Sequence, residues 1–192
     1  DDLFKATIVR AGETKLGERV QTVATIDGLA LSSCKFVLIG LPEDVGVKAN
    51  FGVGGSRTLW QNALKSFLNT QSTSKLSGAE IAVLGHIDFS EEIEQAASLD
   101  PLDPSDLDTL RLLVSRIDDQ VEVIIKDVYA AGKIPIVIGG GHNNSYPILK
   151  AFSRSFQKPV NTINLDAHSD FRAAEGRHSG NGFRYAFQEN YL

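Results

Sequence analysis

Four short apolar runs, each closed by turn-forming residues, punctuate the chain: KFVLIGL at 35–41, EIAVLG at 80–85, KIPIVIGG at 133–140 and VNTINLD at 160–166. Their apolar positions run on almost without alternation, the pattern of parallel strands covered on both faces. Between them the period lengthens to that of a helix. Leu59, Trp60, Ala63, Leu64, Phe67 and Leu68 share one face after Ser56, a residue able to cap a helix. Leu110, Val114, Ile117, Val121, Ile124 and Val128 form a longer stripe. It begins near PSDLDTL, where Ser105 and Asp108 resemble a capping box, and stops at Gly132. Ile148, Leu149, Phe152 and Phe156 make a third stripe, with Pro147 early in it, where a missing N–H costs least. Strands alternating with helices predict βαβ crossovers and a doubly wound, mostly parallel α/β sheet. Residues 1–192 are read as one such domain. The last stretch, FRYAFQENYL, offers at most one helix and no closing strand, so the domain is expected to be incomplete at its C-terminal end.

Composition narrows the partners. At 42% apolar, 192 residues suffice for a sizeable core. A formal net charge of -5 supplies no basic excess, which argues against a nucleic-acid backbone or an anionic membrane as the main partner and leaves a small-molecule substrate or another protein. Cys34 is the single cysteine. It rules out an internal disulfide and a CxxC zinc motif, and it agrees with a reducing compartment, the cytoplasm by default. No apolar run approaches the roughly 18 residues needed to cross a bilayer.

The chemistry gathers at strand ends, where ligands of open α/β sheets bind. NLDAHSDFR, residues 164–172, follows the fourth run. In an extended backbone Asp166, His168 and Asp170 project from the same side and converge. The third run leads into GGGHNNS and delivers His142. Oxygen and imidazole donors without thiolate suit Mn²⁺, Fe²⁺ or Zn²⁺, and the carboxylate share favours Mn²⁺. Two such ions about 3.5–4 Å apart, bridged by a carboxylate, can turn water into hydroxide near neutral pH. In GRHSGNGFRYAF, 176–187, His178 is a candidate proton shuttle to a leaving amine and Asn181 a candidate substrate hydrogen-bonding group. The plainer readings are an exposed loop histidine and a turn asparagine. FGVGGSR, 51–57, lacks the ending of a P-loop and the spacing of a dinucleotide turn, so it is read as a structural loop.

IVIGGGHNNSYPIL and TINLDAHSDFR together resemble the ureohydrolase family of arginases, agmatinases and formimidoylglutamases, with its Gly-Gly-Asp-His-Ser and Asp-Ala-His-x-Asp stretches. The resemblance implies an arginase-like three-layer α/β/α fold and a binuclear manganese centre. It also implies hydrolysis of a linear C–N bond in a guanidino or formimino group by Mn-activated hydroxide. By matching position, His142 binds the first ion, His168 the second, Asp166 bridges them and Asp170 completes the first. Gly141 stands where the family has aspartate and Asn143 where it often has serine, so the groups orienting His142 differ. Two further carboxylates, from an Asp-x-Asp element on a later strand, are expected beyond Leu192. The HSGNGF stretch resembles the Ser-Gly-x-x-Phe pattern of formimidoylglutamases, which places formimidoylglutamate ahead of arginine or agmatine as substrate. Family members form trimers or hexamers, so a homo-oligomer is compatible. The alternative is a non-catalytic or single-metal relative serving as a structural or interaction module.

Overall fold

The computed structural model describes residues 2–192. In chain order the elements are α1 (Asp2–Ala6), β1 (Gln21–Thr22), α2 (Ile26–Leu31), β2 (Phe36–Gly40), α3 (Val45–Lys48), α4 (Leu59–Leu68), β3 (Ile81–His86), α5 (Ser90–Ala97), α6 (Pro104–Ala130), β4 (Ile134–Ile138), α7 (Ser145–Phe156) and α8 (Gly182–Gln188). The strands form one parallel sheet in the order β1-β3-β2-β4. At its centre Phe36 pairs with Ile81 and Ile134, and Gly40 with His86 and Ile138. The exits of β2, β3 and β4 therefore emerge side by side at one end of the sheet.

Alternate residues of β2 serve two different cores, as the two-residue period of a strand requires. Val37 and Ile39 pack in a cluster with Leu110, Val114, Ile117, Val121 and Ile125 of α6. Leu38 packs with Ile81, Val83 and Trp60 of α4 on the other face. Helices thus cover both faces, giving the α/β/α arrangement, and each fully buried aliphatic side chain contributes roughly 1.5–3 kcal/mol. A Cβ at Gly40 would overlap the indole of Trp60, so glycine there lets α4 lie directly on the sheet.

Two expectations from the pattern are corrected. The long helix starts earlier than Ser105: Asp103 is its N-cap, accepting from the Ser105 amide at 2.9 Å and the Asp106 amide at 3.1 Å, with Pro104 as the first helical residue. Its end is as expected, with Gly132 at φ +72°. The second correction is larger. No strand forms over 160–166; Ile163 and Leu165 are 97% and 101% exposed, and the Val160 amide donates to the Tyr191 carbonyl at 2.9 Å. A parallel strand is favoured by ladders on both sides and helices on both faces. Among the described residues β4 is the outermost strand on that side, and nothing beyond it encloses 160–166. No helix among the described residues is long and apolar enough to cross a membrane.

Candidate metal centre

β4 delivers His142 through a loop that only glycines can follow. Gly139 and Gly140 have φ of +94° and +79°, and a Cβ on Gly140 would lie 2.8 Å from Asn144 Nδ2. Residues 142–144 then make one 3-10 turn and enter α7. This loop closes over Glu43, which follows β2 and is fully buried. Glu43 Oε1 accepts from the Gly141 amide at 2.9 Å and from Nδ2 of Asn144 and Asn143 at 2.5 and 3.2 Å. Burial raises the Glu43 pKa, against the pull of those donors.

The His142 ring meets two carboxylates. Its Nδ1 faces Asp166 Oδ2 at 3.2 Å and makes a short contact with Asp170 Oδ2. One ligand atom from each of the three residues lies within 4.8 Å of the others. An imidazole nitrogen enclosed by two carboxylate oxygens marks a position that a proton or a divalent cation fills. The oxygen and nitrogen donors fit Mn²⁺, Fe²⁺ or Zn²⁺. Asp166 is held below the usual carboxylate range by the His168 amide, which donates to its Oδ1 at 2.8 Å, and by the nearby His142. Asp170 sits at φ +46°, a left-handed conformation that aspartate tolerates better than most residues. Sparsely populated backbone of this kind collects at functional sites.

His168 does not join this group. Its side chain is 83% exposed, with Nδ1 3.6 Å from Asp166 Oδ1. The convergence expected of 166, 168 and 170 assumed an extended backbone. The actual chain turns at Asp166 and again at Asp170, which brings 166 and 170 to His142 and swings 168 outward.

The three residues line a cleft of about 590 Å³ whose wall also carries Asn50, Arg172, Ser179 and Gly180. Arg172 donates through Nη1 to Asn50 Oδ1 at 2.6 Å, and Asn50 Nδ2 donates to Ser179 Oγ at 3.2 Å. A guanidinium held by neutral partners keeps its full charge for an anion.

His178 and Asn181 lie behind this wall, and both are fully buried. Asn181 uses its side chain internally: Oδ1 accepts from Arg177 Nη1 and the His178 amide, and Nδ2 donates to the carbonyls of Ala173 and Gly176. His178 Nδ1 accepts from the Gly180 amide at 3.1 Å, which leaves its proton on Nε2, 3.5 Å from Glu175 Oε1. Burial, with Arg111 and Arg172 nearby, pushes its pKa down to about 4. It is neither an exposed loop histidine nor a group lining the cleft.

Four contributors escaped the sequence reading. Glu43 had a usable signal, an acidic residue directly after an apolar run, and so did Arg172, inside the very stretch that carried the metal motif. Asp118 and Arg177 had none. Arg177 pairs with Asp118 of α6 at 2.8 Å, lies over the rings of Tyr146 and Tyr185, and donates to the Asn143 carbonyl at 2.9 Å. Burial raises the Asp118 pKa to about 7 while Arg177 opposes the rise.

The family model described as the arginase family matches residues 34–192, a span that holds every residue of this centre. The chain belongs to the arginase family. Among arginase-family relatives, the guanidinopropionase of Pseudomonas aeruginosa is 26% identical over 160 residues, covering 81% of this chain and 44% of that protein. A formimidoylglutamase of Rhodococcus opacus is 25% identical over 172 residues, covering 86% and 45%. The chain thus spans about half the length of these curated relatives. The solved formiminoglutamase of Trypanosoma cruzi with Mn²⁺ aligns with a TM-score of 0.65 at 25% identity, covering 94% of this chain and 54% of that one. The formimidoylglutamase of Bacillus subtilis shares the arginase-family fold, with a TM-score of 0.66 at 18% identity and coverage of 96% and 51%.

Proposed function

We propose that this chain carries the metal-binding part of a manganese-dependent hydrolase acting on linear C–N bonds of formimino or guanidino compounds. The observation that carries the reading is the convergence of His142, Asp166 and Asp170 at one end of a parallel sheet. These three residues would hold one divalent ion, and Asp166 would also help to hold a second. His168, on the cleft wall, is a further donor. Bound divalent metal supplies Lewis acidity and lowers the pKa of water at the site.

The chain's own residues do the rest. Asp170 orients the His142 ring, and the amide of His168 keeps Asp166 ionised and able to accept a cation. Arg172 draws an anionic group into the cleft, with Asn50 and Ser179 fixing its direction. The charge favours a substrate bearing a carboxylate, such as formimidoylglutamate or guanidinopropionate, over agmatine, whose far end is a cation. Asn181 and the neutral His178 support the wall in this reading.

The test is turnover by Mn²⁺-loaded full-length protein: formamide release from formimidoylglutamate against urea release from guanidinopropionate, arginine and agmatine. Release from the carboxylate-bearing substrates is expected, and no release from any of the four would sink the reading. The second reading, a single-ion relative without catalysis, is favoured by one observation, that His168 stands outside the three-residue cluster. A Mn²⁺ stoichiometry of one per chain together with no turnover would select it.

A further inference from the structure

The exits of β2 and β4 meet at one buried carboxylate. Besides its three donors from residues 141–144, Glu43 accepts through Oε2 from the Val45 amide at 2.9 Å, at the start of α3. Among the described residues no cation pairs with it. A carboxylate buried without a cation is costly, and an apolar side chain would fill the space at less expense. Its hydrogen bonds explain its presence: they hold the residues on both sides of His142, and they tie that loop to the neighbouring strand.

Gly141 shows where this carboxylate acts. Its φ of -69° and ψ of 154° suit any residue, so the backbone does not demand glycine. Space does. A Cβ at 141 would run into Asn143 Oδ1 and lie 3.4 Å from Glu43 Oε1. The place beside the loop is taken by the Asn143 amide, which Glu43 holds there by accepting from its Nδ2 at 3.2 Å.

We propose that Glu43 is a positioning residue for the metal centre, its carboxylate holding the loop that presents His142 through the Gly141 amide and the Asn143 and Asn144 side chains. The proposal rests on reading His142, Asp166 and Asp170 as metal ligands.

The experiment titrates Mn²⁺ into full-length protein, following free Mn²⁺ by electron paramagnetic resonance. In parallel it measures exchange of the Gly141 amide without metal. Glu43→Gln keeps the size of the side chain but sets an NH₂ against amide donors. It is expected to speed Gly141 exchange and to weaken Mn²⁺ binding by roughly 10–100-fold, the usual cost of losing a group that orients a metal ligand. Asn144→Ala, which leaves the carboxylate in place, is expected to shift both readouts the same way by less, and it decides the matter should Glu43→Gln not fold. Native Mn²⁺ affinity and native Gly141 exchange in a folded Glu43→Gln protein would overturn the proposal. If the unaltered protein takes up no Mn²⁺, the metal reading fails on its own and Gly141 exchange alone judges the role of Glu43.

Discussion

The two sides of the cleft are built differently. His142 rides on a loop between β4 and α7, backed by the buried Glu43, by Asn143 and Asn144, and by the Arg177–Asp118 pair. Asp166 and Asp170 ride on a segment whose apolar residues face solvent and whose order comes from an aspartate turn and the Arg172 contacts. One side is fixed by buried hydrogen bonds; the other carries both carboxylates that face the His142 ring and little of the packing. The cost of holding carboxylates around a cation site therefore falls on the side with the least to hold it. Apart from Glu43 and the asparagines that hold the His142 loop, substitutions on the first side should register mainly as stability, and on the second mainly as metal affinity.

The largest effect is expected at Asp118. Removing it as Asp118→Ala leaves the Arg177 guanidinium buried among Asn143, Asn181, Tyr146 and Tyr185 with no counter-charge, and arginine cannot shed its proton. Breaking a buried pair in this way costs about 3–5 kcal/mol. Arg177→Ala should cost less, because the abandoned carboxyl already tends toward its neutral form. Urea unfolding of both variants checks the order, and equal losses would contradict it.

Next comes pH. The His178 pKa is about 4 in the fold and near 6.5 in the unfolded chain, so between those values the unfolded chain binds a proton that the fold does not. The contribution is complete above pH 6.5 and disappears as pH falls to 4, a loss of about 3 kcal/mol. It should vanish from the difference between the native protein and His178→Gln measured at pH 7 and pH 4.5. The neighbours that set it are Arg111, Arg172, Arg177 and Glu175. An NMR titration of the His178 ring with a midpoint near 6.5 would contradict it.

On the second side, Asp170→Asn keeps a residue that tolerates φ +46° while removing the charge beside His142. Mn²⁺ affinity should drop at least about 10-fold, the lower end of what losing even an outer partner costs. The unfolding midpoint should barely move. A large stability loss with unchanged Mn²⁺ affinity would invert the comparison.

The same contrast explains what the sequence disclosed. Periodicity located β2, β3, α4, α6 and α7 because each buries apolar residues on one or both faces, while β4, with none of its residues buried, was marked by its apolar run and by the glycines and histidine at its exit. Gly141 was visible as a departure, but not the carboxylate that binds its amide, since Glu43 lies 98 positions away. Buried charges such as Asp118 and Arg177 read as surface residues in any linear pattern. His168 and the 160–166 strand were misplaced for one shared reason. The alternation argument supposes an extended backbone, and that conformation is stabilised by neighbours that a single segment cannot reveal.

The smallest expected effect bears on that segment. Ile163 and Leu165 follow a strand-like alternation with Asn164 between them, yet both are almost wholly exposed. Exchanging both for serine removes no buried area, so unfolding free energy should change by no more than about 0.5 kcal/mol. The same exchange at Ile117 and Ile125, fully buried on α6, would cost several times more. Mn²⁺ affinity should also hold, because Asp166 takes its orientation from the His168 amide and from His142 rather than from its apolar neighbours. A loss above roughly 2 kcal/mol would mean that these side chains are packed in the folded protein, a cost of the kind seen for buried aliphatic residues. The second side would then be as well built as the first.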